Sequence, residues 1–266
     1  MYKPKSFENR GRTGIDSLRQ PTDNQYNPIK EAARLLDLDG SLDKAGRLAF
    51  RLLGEVPWLL PRITLRATEP EPIRIGIFGG FDPEPVEAGR RLARVPLQFL
   101  ADEESLASRI EAHVYPASNF PAFSHGNPRK PQTQPLRGVL LRASLWQSSE
   151  RPEAYYLERE LGVHEFDGLL LVTANPFEPA WVSAAGKVLE KGVVAPVLAR
   201  LANLEIATGS WHPEYSLLRG AELRPEPFQI RINYPLGSDP ERTNLGRLIA
   251  ELIREYRSFL SFQENI

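Results

Sequence analysis

Two carboxylates follow a pair of glycines at the end of a predicted strand, and they are the first candidates for chemistry in this sequence. The segment RIGIFGGFDPEP, residues 74–85, ends an apolar run at Gly79 and Gly80 and continues to Asp82 and Glu84. A strand that stops at glycines lets a ligand approach the backbone closely. A structural interpretation is equally open: the glycines would form a tight strand exit, and Glu84 would be a first-turn acid of the following helix.

The four histidines are the other candidates for metal binding or proton transfer, since the chain has no cysteine. His113 lies in a predicted strand and is interpreted as structural, and His125 lies in a long loop and is interpreted as solvated. His164 resembles a helix-exit residue. His212 and Glu214 form a His-x-Glu pair, which is weak evidence for a metal without a third ligand.

Composition excludes several classes of function. The 266 residues include 33 basic and 34 acidic side chains, with a formal net charge of -1. This balance favours neither a nucleic-acid partner nor an anionic membrane surface. The first residues have no apolar core typical of a signal peptide, and the apolar stretches are far shorter than the ~20 residues of a membrane span. We therefore expect a cytoplasmic protein.

The sequence predicts two regions. Residues 1–60 are expected to form a polar arm and two helices that pack on the core, the first from Pro28 and the second over residues 41–54. Residues 61–266 alternate between strands and helices, which predicts an α/β domain with a mixed, mainly parallel sheet and helices on both faces. The predicted strands are RITLRA, IRIGIFG, IEAHVYP, FDGLLLV and FQIRINYP.

Helices are predicted between these strands. Residues 85–100 are predicted to form a helix that Pro96 must kink or end. Further helices are expected at 151–162, around 180–203, and from about Pro240, with an apolar stripe that runs to Leu260. The loop from Pro116 to Pro135 is too long for a simple connection, so it either forms part of a site or is disordered. If the former holds, residues 117–138 are expected to border the cleft.

The turn GIFGGFDP resembles the opening motif of nicotinate-nucleotide adenylyltransferases. That family needs two imidazoles in an HxGH motif to stabilise the transferring phosphate. The corresponding residues here are Pro85, Val86, Glu87 and Ala88. Both imidazoles are therefore missing, and a nucleotidyltransferase is the least favoured of the alternatives.

A second resemblance covers residues 60–262. GIFGGFDPEPVEAG, VYPASNFPAF, SSERPEAYYLERELGVHEFDGLLLVTAN, PFQIRINYP and ELIREYRSFLSF resemble, in order, five motifs of zinc carboxypeptidases and of the related succinylglutamate desuccinylase and aspartoacylase group. The resemblance implies an eight-stranded mixed sheet between helices, with the site at one end of the sheet.

The resemblance also implies where the catalytic groups of the family would lie. The first zinc histidine corresponds to Phe81 or Asp82, the carboxylate ligand to Glu84, and the second histidine to Thr173. The catalytic glutamate corresponds to Asn233, which accepts no proton near neutral pH. A lone carboxylate does not hold zinc without nitrogen ligands.

The substrate-binding motif of the family is altered as well. Ala143 replaces an arginine that grips a carboxylate, Arg142 lies one position away, and Arg129 is near the position of a second family arginine. The candidate cleft therefore consists of Asp82, Glu84, Arg129, Arg142, Thr173 and Asn233.

These replacements predict a catalytically inactive protein without zinc or another cofactor, which binds a small molecule or a protein in the remodelled cleft. The alternative is an active metal-dependent carboxypeptidase or deacylase with a displaced metal site.

Overall fold

The structure is a computed structural model. This structure describes residues 28–38, 46–55, 58–80, 86–118, 152–175, 178–212, 216, 227–235 and 244–263. Asp82, Glu84, Arg129 and Arg142, and with them Phe81, Ala143 and His125, lie outside these residues.

An eight-stranded sheet forms the centre of the described chain, in the order β1-β2-β4-β3-β5-β8-β6-β7. Its central strands β4, β3, β5 and β8 are parallel, as are β6 and β7, whereas β1/β2, β2/β4 and β6/β8 are antiparallel. The expected mixed, mainly parallel sheet is confirmed. The strands are β1 (Leu48–Glu55), β2 (Trp58–Leu65), β3 (Ile73–Phe78), β4 (Ile110–Tyr115), β5 (Gly168–Ala174), β6 (Trp181–Ala184), β7 (Ala207–Thr208) and β8 (Phe228–Tyr234).

Helices cover both faces of the sheet. The described helices are α1 (Pro28–Leu35), α2 (Val86–Asp102), α3 (Glu104–Ala107), α4 (Pro152–His164), α5 (Lys187–Leu189), a π-turn (Glu190–Val194), α6 (Ala195–Arg200), a 3₁₀ turn (Ala202–Leu204) and α7 (Leu245–Gln263). The larger core packs α1, α2, α6 and α7 on one face, and the smaller core packs α4 on the other. Among the described helices, none combines the length and the apolarity needed to cross a membrane.

Alternation along the central strands assigns each side chain to one of these cores. In β5, Leu170 and Val172 belong to the larger core, while Leu169 and Leu171 belong to the smaller one. Successive residues of a strand point to opposite faces, so a strand buried on both faces is apolar at nearly every position. Thr173 thus shares the face of Leu171, which is the face that α4 covers.

The predicted second helix is wrong, because residues 48–55 form strand β1. This strand pairs antiparallel with β2, from Leu48 opposite Leu65 to Glu55 opposite Trp58. Leu48, Phe50 and Leu52 face the larger core at two-residue spacing. A short apolar run fits both helical and strand periodicity, and pairing with β2 decides between them. Strand β2 also crosses residue 60, so the same sheet extends on both sides of the expected boundary.

The structure decides two further expectations. Of the two alternatives expected at Pro96, the end of the helix is excluded, because α2 continues through this buried residue to Asp102. The expected helical region around 180–203 begins with strand β6, and its helices start only at Lys187.

Candidate functional site

The carboxyl end of β3 is joined closely to the carboxyl end of β4. The amide of Gly79 donates to Tyr115 O at 2.9 Å, and the amide of Ser118 donates to Gly79 O at 2.8 Å. Gly80 has φ +65°, and a Cβ there would lie 2.8 Å from the Cα of Ala117. The two glycines therefore admit the segment after β4 against the strand exit, which supports their structural interpretation.

The segment after β4 brings a buried hydroxyl to this end of the sheet. Ser118 is fully buried, and its Oγ has no hydrogen-bond partner among the described residues. It is the third residue of the loop that begins at Pro116, directly after β4. That loop starts at the carboxyl edge of the parallel strands, which is where ligands bind in open α/β sheets.

Thr173 and Asn233 meet at the same edge although they are 60 positions apart. They are paired across β5 and β8, and both are buried. Thr173 Oγ1 lies 3.3 Å from Asn233 Oδ1 and 3.4 Å from Ile232 O, so the hydroxyl has two acceptors within reach. The amide nitrogen of Asn233 donates to Pro179 O at 3.1 Å. The carboxamide is therefore fixed with its oxygen toward the threonine.

The face of β8 that carries Asn233 is polar along its length. Gln229, Arg231 and Asn233 alternate with apolar residues and are each at most 5% exposed. Ser216 Oγ donates to Gln229 Oε1 at 3.0 Å. The guanidinium of Arg231 lies 4.9 Å from the ring centroid of Trp181. This strand therefore supplies a buried cation two residues before Asn233, on the same side of the sheet.

A second polar cluster lies between β2, β4 and α4. One carboxylate oxygen, Glu160 Oε2, receives three groups: Arg62 Nη1 at 2.5 Å, the Tyr115 hydroxyl at 2.7 Å and His164 Nε2 at 3.2 Å. Arg62 Nη1 also lies 2.8 Å from His164 Nε2. Burial alone would raise the pKa of Glu160, but hydrogen bonds from His164, Tyr115 and Arg62 outweigh it and lower the pKa to about 2. The carboxylate is thus ionised at neutral pH.

His113 extends this cluster along β4. Its Nε2 lies 2.7 Å from Glu111 Oε1, and its ring centroid is 4.1 Å from that of His164. Burial lowers the pKa of His113 to about 4, and the neighbouring His164 adds to this effect, against the opposing hydrogen bond to Glu111. Burial also disfavours the charged form of Tyr115, and it raises the pKa of this phenol well above the ordinary value. The imidazole of His113 is therefore neutral at physiological pH.

A cavity of about 420 Å³ opens beside this cluster. Its polar lining is Arg62, Arg159, Glu160 and His164. Its apolar lining comes from β1 and α4, with Leu52, Leu53, Tyr156 and Val163. The cavity gives solvent a route to the cluster between the edge strand and the helix.

Comparisons with known proteins agree on the architecture. No protein-family model matches the chain, and no curated protein is significantly similar to it in sequence. Among solved structures, a metallo-carboxypeptidase from Burkholderia cenocepacia superposes with a TM-score of 0.63 at 16% identity, over 88% of this chain and 69% of that one. The chain has the metallo-carboxypeptidase fold.

Two further structures with this fold support the assignment. A metallo-carboxypeptidase from Pseudomonas aeruginosa, in complex with (2-guanidinoethylmercapto)succinic acid, gives a TM-score of 0.60 at 17% identity, over 87% of this chain and 69% of that one. Thrombin activatable fibrinolysis inhibitor gives 0.56 at 10% identity, over 86% and 73%.

The described residues at the carboxyl edge do not fit the zinc that this fold family implies. Protein zinc sites use thiolate, imidazole or carboxylate ligands. Thr173 instead offers a hydroxyl between two oxygen acceptors, and Asn233 a carboxamide fixed by Pro179 O. Neither residue is a zinc ligand or a proton acceptor in this arrangement.

Sequence reasoning located one pair of residues and missed another. Thr173 and Asn233 end neighbouring parallel strands, and their meeting follows from that. The contact between His113 and His164 was missed, because one lies mid-strand and the other at the end of a helix 51 positions later. The sequence held one sign of this cluster: Glu111 and His113 are two residues apart in a strand, so both lie on one face of β4. Of the other predicted candidates, His212 is exposed.

Proposed function

We propose that this protein is a non-hydrolytic member of the metallo-carboxypeptidase fold, which uses the carboxyl edge of its sheet to bind a ligand or partner. The observation that carries the proposal is the buried contact between Thr173 and Asn233. The sequence resemblance assigns these two residues to the positions of the second zinc histidine and the catalytic glutamate.

Hydrolysis at this edge would need a group that accepts a proton from water. A carboxamide has no proton-accepting capacity near neutral pH. Asn233 Oδ1 is instead directed at Thr173, and its nitrogen is held by Pro179 O. In this arrangement Asn233 accepts from Thr173 and donates to Pro179 O, and neither side chain of the pair is a general base.

Binding is supported by the chemistry of the surrounding face. Gln229, Arg231, Asn233 and Thr173 place amide, guanidinium and hydroxyl groups on one side of β5 and β8, all buried. Buried polar groups are costly unless they are paired or serve a bound group. A polar face of this kind suits a ligand that carries hydrogen-bond acceptors or negative charge.

The rival function is an amide hydrolase with a displaced metal. One observation favours it: Glu111, His113 and His164 each offer a ligand atom, and these atoms all lie within 4.8 Å of one another. This group lies on β4 and α4, however. In the sheet, β3 lies between β4 and β5, the strand of Thr173, and β8, the strand of Asn233, is one strand further. The group is therefore separate from the Thr173–Asn233 pair.

The deciding experiment is hydrolysis of C-terminal peptide and N-acyl amino-acid substrates by the purified chain, with zinc and with a chelator. We expect no turnover in either condition, and no gain in the Asn233→Glu variant. Zinc-dependent turnover that is lost in Asn233→Ala would refute the proposal. Turnover that survives Asn233→Ala but is lost in His164→Gln would establish the rival instead.

A further inference from the structure

The cluster beneath α4 has the composition and spacing of a metal site. Protein metals such as zinc bind imidazole nitrogen and carboxylate oxygen at about 2.0–2.2 Å, which places neighbouring ligand atoms roughly 3.3 Å apart. The ligand atoms of Glu111, His113 and His164 lie within 4.8 Å of one another. We propose that these three side chains bind a divalent transition metal ion of the zinc type, at a site distinct from the carboxyl edge of the sheet.

His113 is prepared for this role by its surroundings. The residue is 2% exposed, and its Nδ1 has no hydrogen-bond partner among the described residues. An unsatisfied buried nitrogen is costly and calls for an explanation. The Nδ1 lone pair of this buried ring is therefore open to a ligand that the described residues do not supply.

His164 is oriented by a second carboxylate. Metal-bound histidines usually donate their other ring N–H to a carboxylate, which fixes both the tautomer and the ring. Glu160 Oε2 lies 3.2 Å from His164 Nε2 and is held in turn by Tyr115 and Arg62. In the metal-bound form, Nε2 donates to Glu160 and Nδ1 faces the metal. Arg62 Nη1 lies 2.8 Å from Nε2. Because both atoms are donors once Nε2 carries its proton, Arg62 then donates to Glu160 alone.

The net charge of the cluster and the cavity beside it are both suited to a bound cation. Glu111 and Glu160 carry two negative charges and Arg62 one positive charge, so these three side chains have a net charge of about -1. The cavity that Arg62, Glu160 and His164 line reaches the cluster from solvent. It provides an entry path for the ion and room for water as a fourth ligand.

The test is a titration of the full chain, first stripped with a chelator, with Co²⁺ followed by visible absorption and with Zn²⁺ by calorimetry. We expect one ion per chain and the d–d bands of a four-coordinate nitrogen- and oxygen-ligated cobalt. Glu111→Gln should weaken binding at least about ten-fold, and His164→Gln at least about a hundred-fold. His212→Gln, which changes an exposed histidine outside the group, should leave the affinity unchanged.

Three outcomes separate this site from the carboxyl edge. Binding that persists in Thr173→Ala and Asn233→Ala but not in His164→Gln supports it, whether or not the protein hydrolyses any substrate. Loss of binding in Thr173→Ala with full retention in His164→Gln and Glu111→Gln overturns it. An absence of saturable binding at millimolar metal also overturns it and leaves the cluster as a purely structural network. If the His164→Gln variant is unstable, two other variants decide whether the metal binds here. Glu111→Gln changes a partly exposed ligand, and Glu160→Gln changes the carboxylate that contacts His164 Nε2.

Discussion

Thr173 Oγ1 and Asn233 Oδ1 lie 3.3 Å apart across the β5–β8 pair. The amide of Asn233 is anchored on its other side to Pro179 O. This buried pair offers a hydroxyl and a carboxamide, and neither group accepts a proton from water near neutral pH. This relationship underlies the first prediction.

Asn233→Glu should not restore hydrolysis, and it should destabilise the fold. Asn233 is 2% exposed, so a carboxylate there would be buried without a cation in the pair. Asn233→Gln has the same side-chain length without the charge and serves as the matched control. We expect the glutamate variant to be less stable than the glutamine variant by about 3 kcal/mol at neutral pH, measured by urea unfolding. Equal stabilities would show that this edge tolerates charge.

Replacing one member of the Arg62–Glu160 pair should lower the free energy of unfolding more, per substitution, than replacing both members together. Both side chains are 11% exposed, so either partner left alone is a buried, uncompensated charge. Arg62→Met and Glu160→Met should each lower the free energy of unfolding by about 3–5 kcal/mol, and the double variant by less than the sum. Additive losses in a double-mutant cycle would mean that the two charges do not interact.

Stability should fall as the solution is acidified below about pH 6.5. The folded-state pKa of His113, about 4, is below its ordinary value of 6.5, so between these values the unfolded chain binds a proton that the folded chain does not. The neutral imidazole therefore contributes stability at neutral pH that is lost as pH falls from 6.5 to 4, on the order of 3 kcal/mol. Glu160, lowered from 4.5 to about 2, adds a further loss below pH 4.5.

The measurement is urea unfolding between pH 7 and pH 4. His113→Gln should flatten the upper part of this profile, while His212→Gln should retain it. A profile for His113→Gln as steep as that of the parent chain would assign the acid lability to other groups.

Gly80→Ala should be more damaging than Gly46→Ala, although both glycines have a positive φ, +65° and +60°. The added Cβ at Gly80 would lie 2.8 Å from the Cα of Ala117, whereas nothing lies within 4 Å of the one at Gly46. Both variants pay the cost of a left-handed alanine, about 1 kcal/mol. We expect Gly80→Ala to lose at least about 1 kcal/mol more, because backbone must move. Equal losses would show that residues 116–118 shift freely.

The sequence by itself determined the fold class and the meeting of Thr173 with Asn233. Buried strands such as GLLLVTA and FQIRINY are apolar on alternate or all positions, and helical segments separate them. This pattern requires a parallel sheet covered on both faces. Since Thr173 and Asn233 both end such strands, their approach to one edge followed from the order of elements.

Only the tertiary structure decided the conformation of residues 48–55 and the contacts of the two buried histidines, because the local sequence pattern does not specify either. Residues 48–55 fit a helix until they pair with β2, because a short apolar run carries both periodicities and the partner strand selects one. His113 and His164 are unremarkable in sequence. They become neighbours because α4 packs over β4, which also buries Glu160 against Arg62 and Tyr115. Contacts of this kind depend on the relative placement of a strand and a helix, which no single segment encodes.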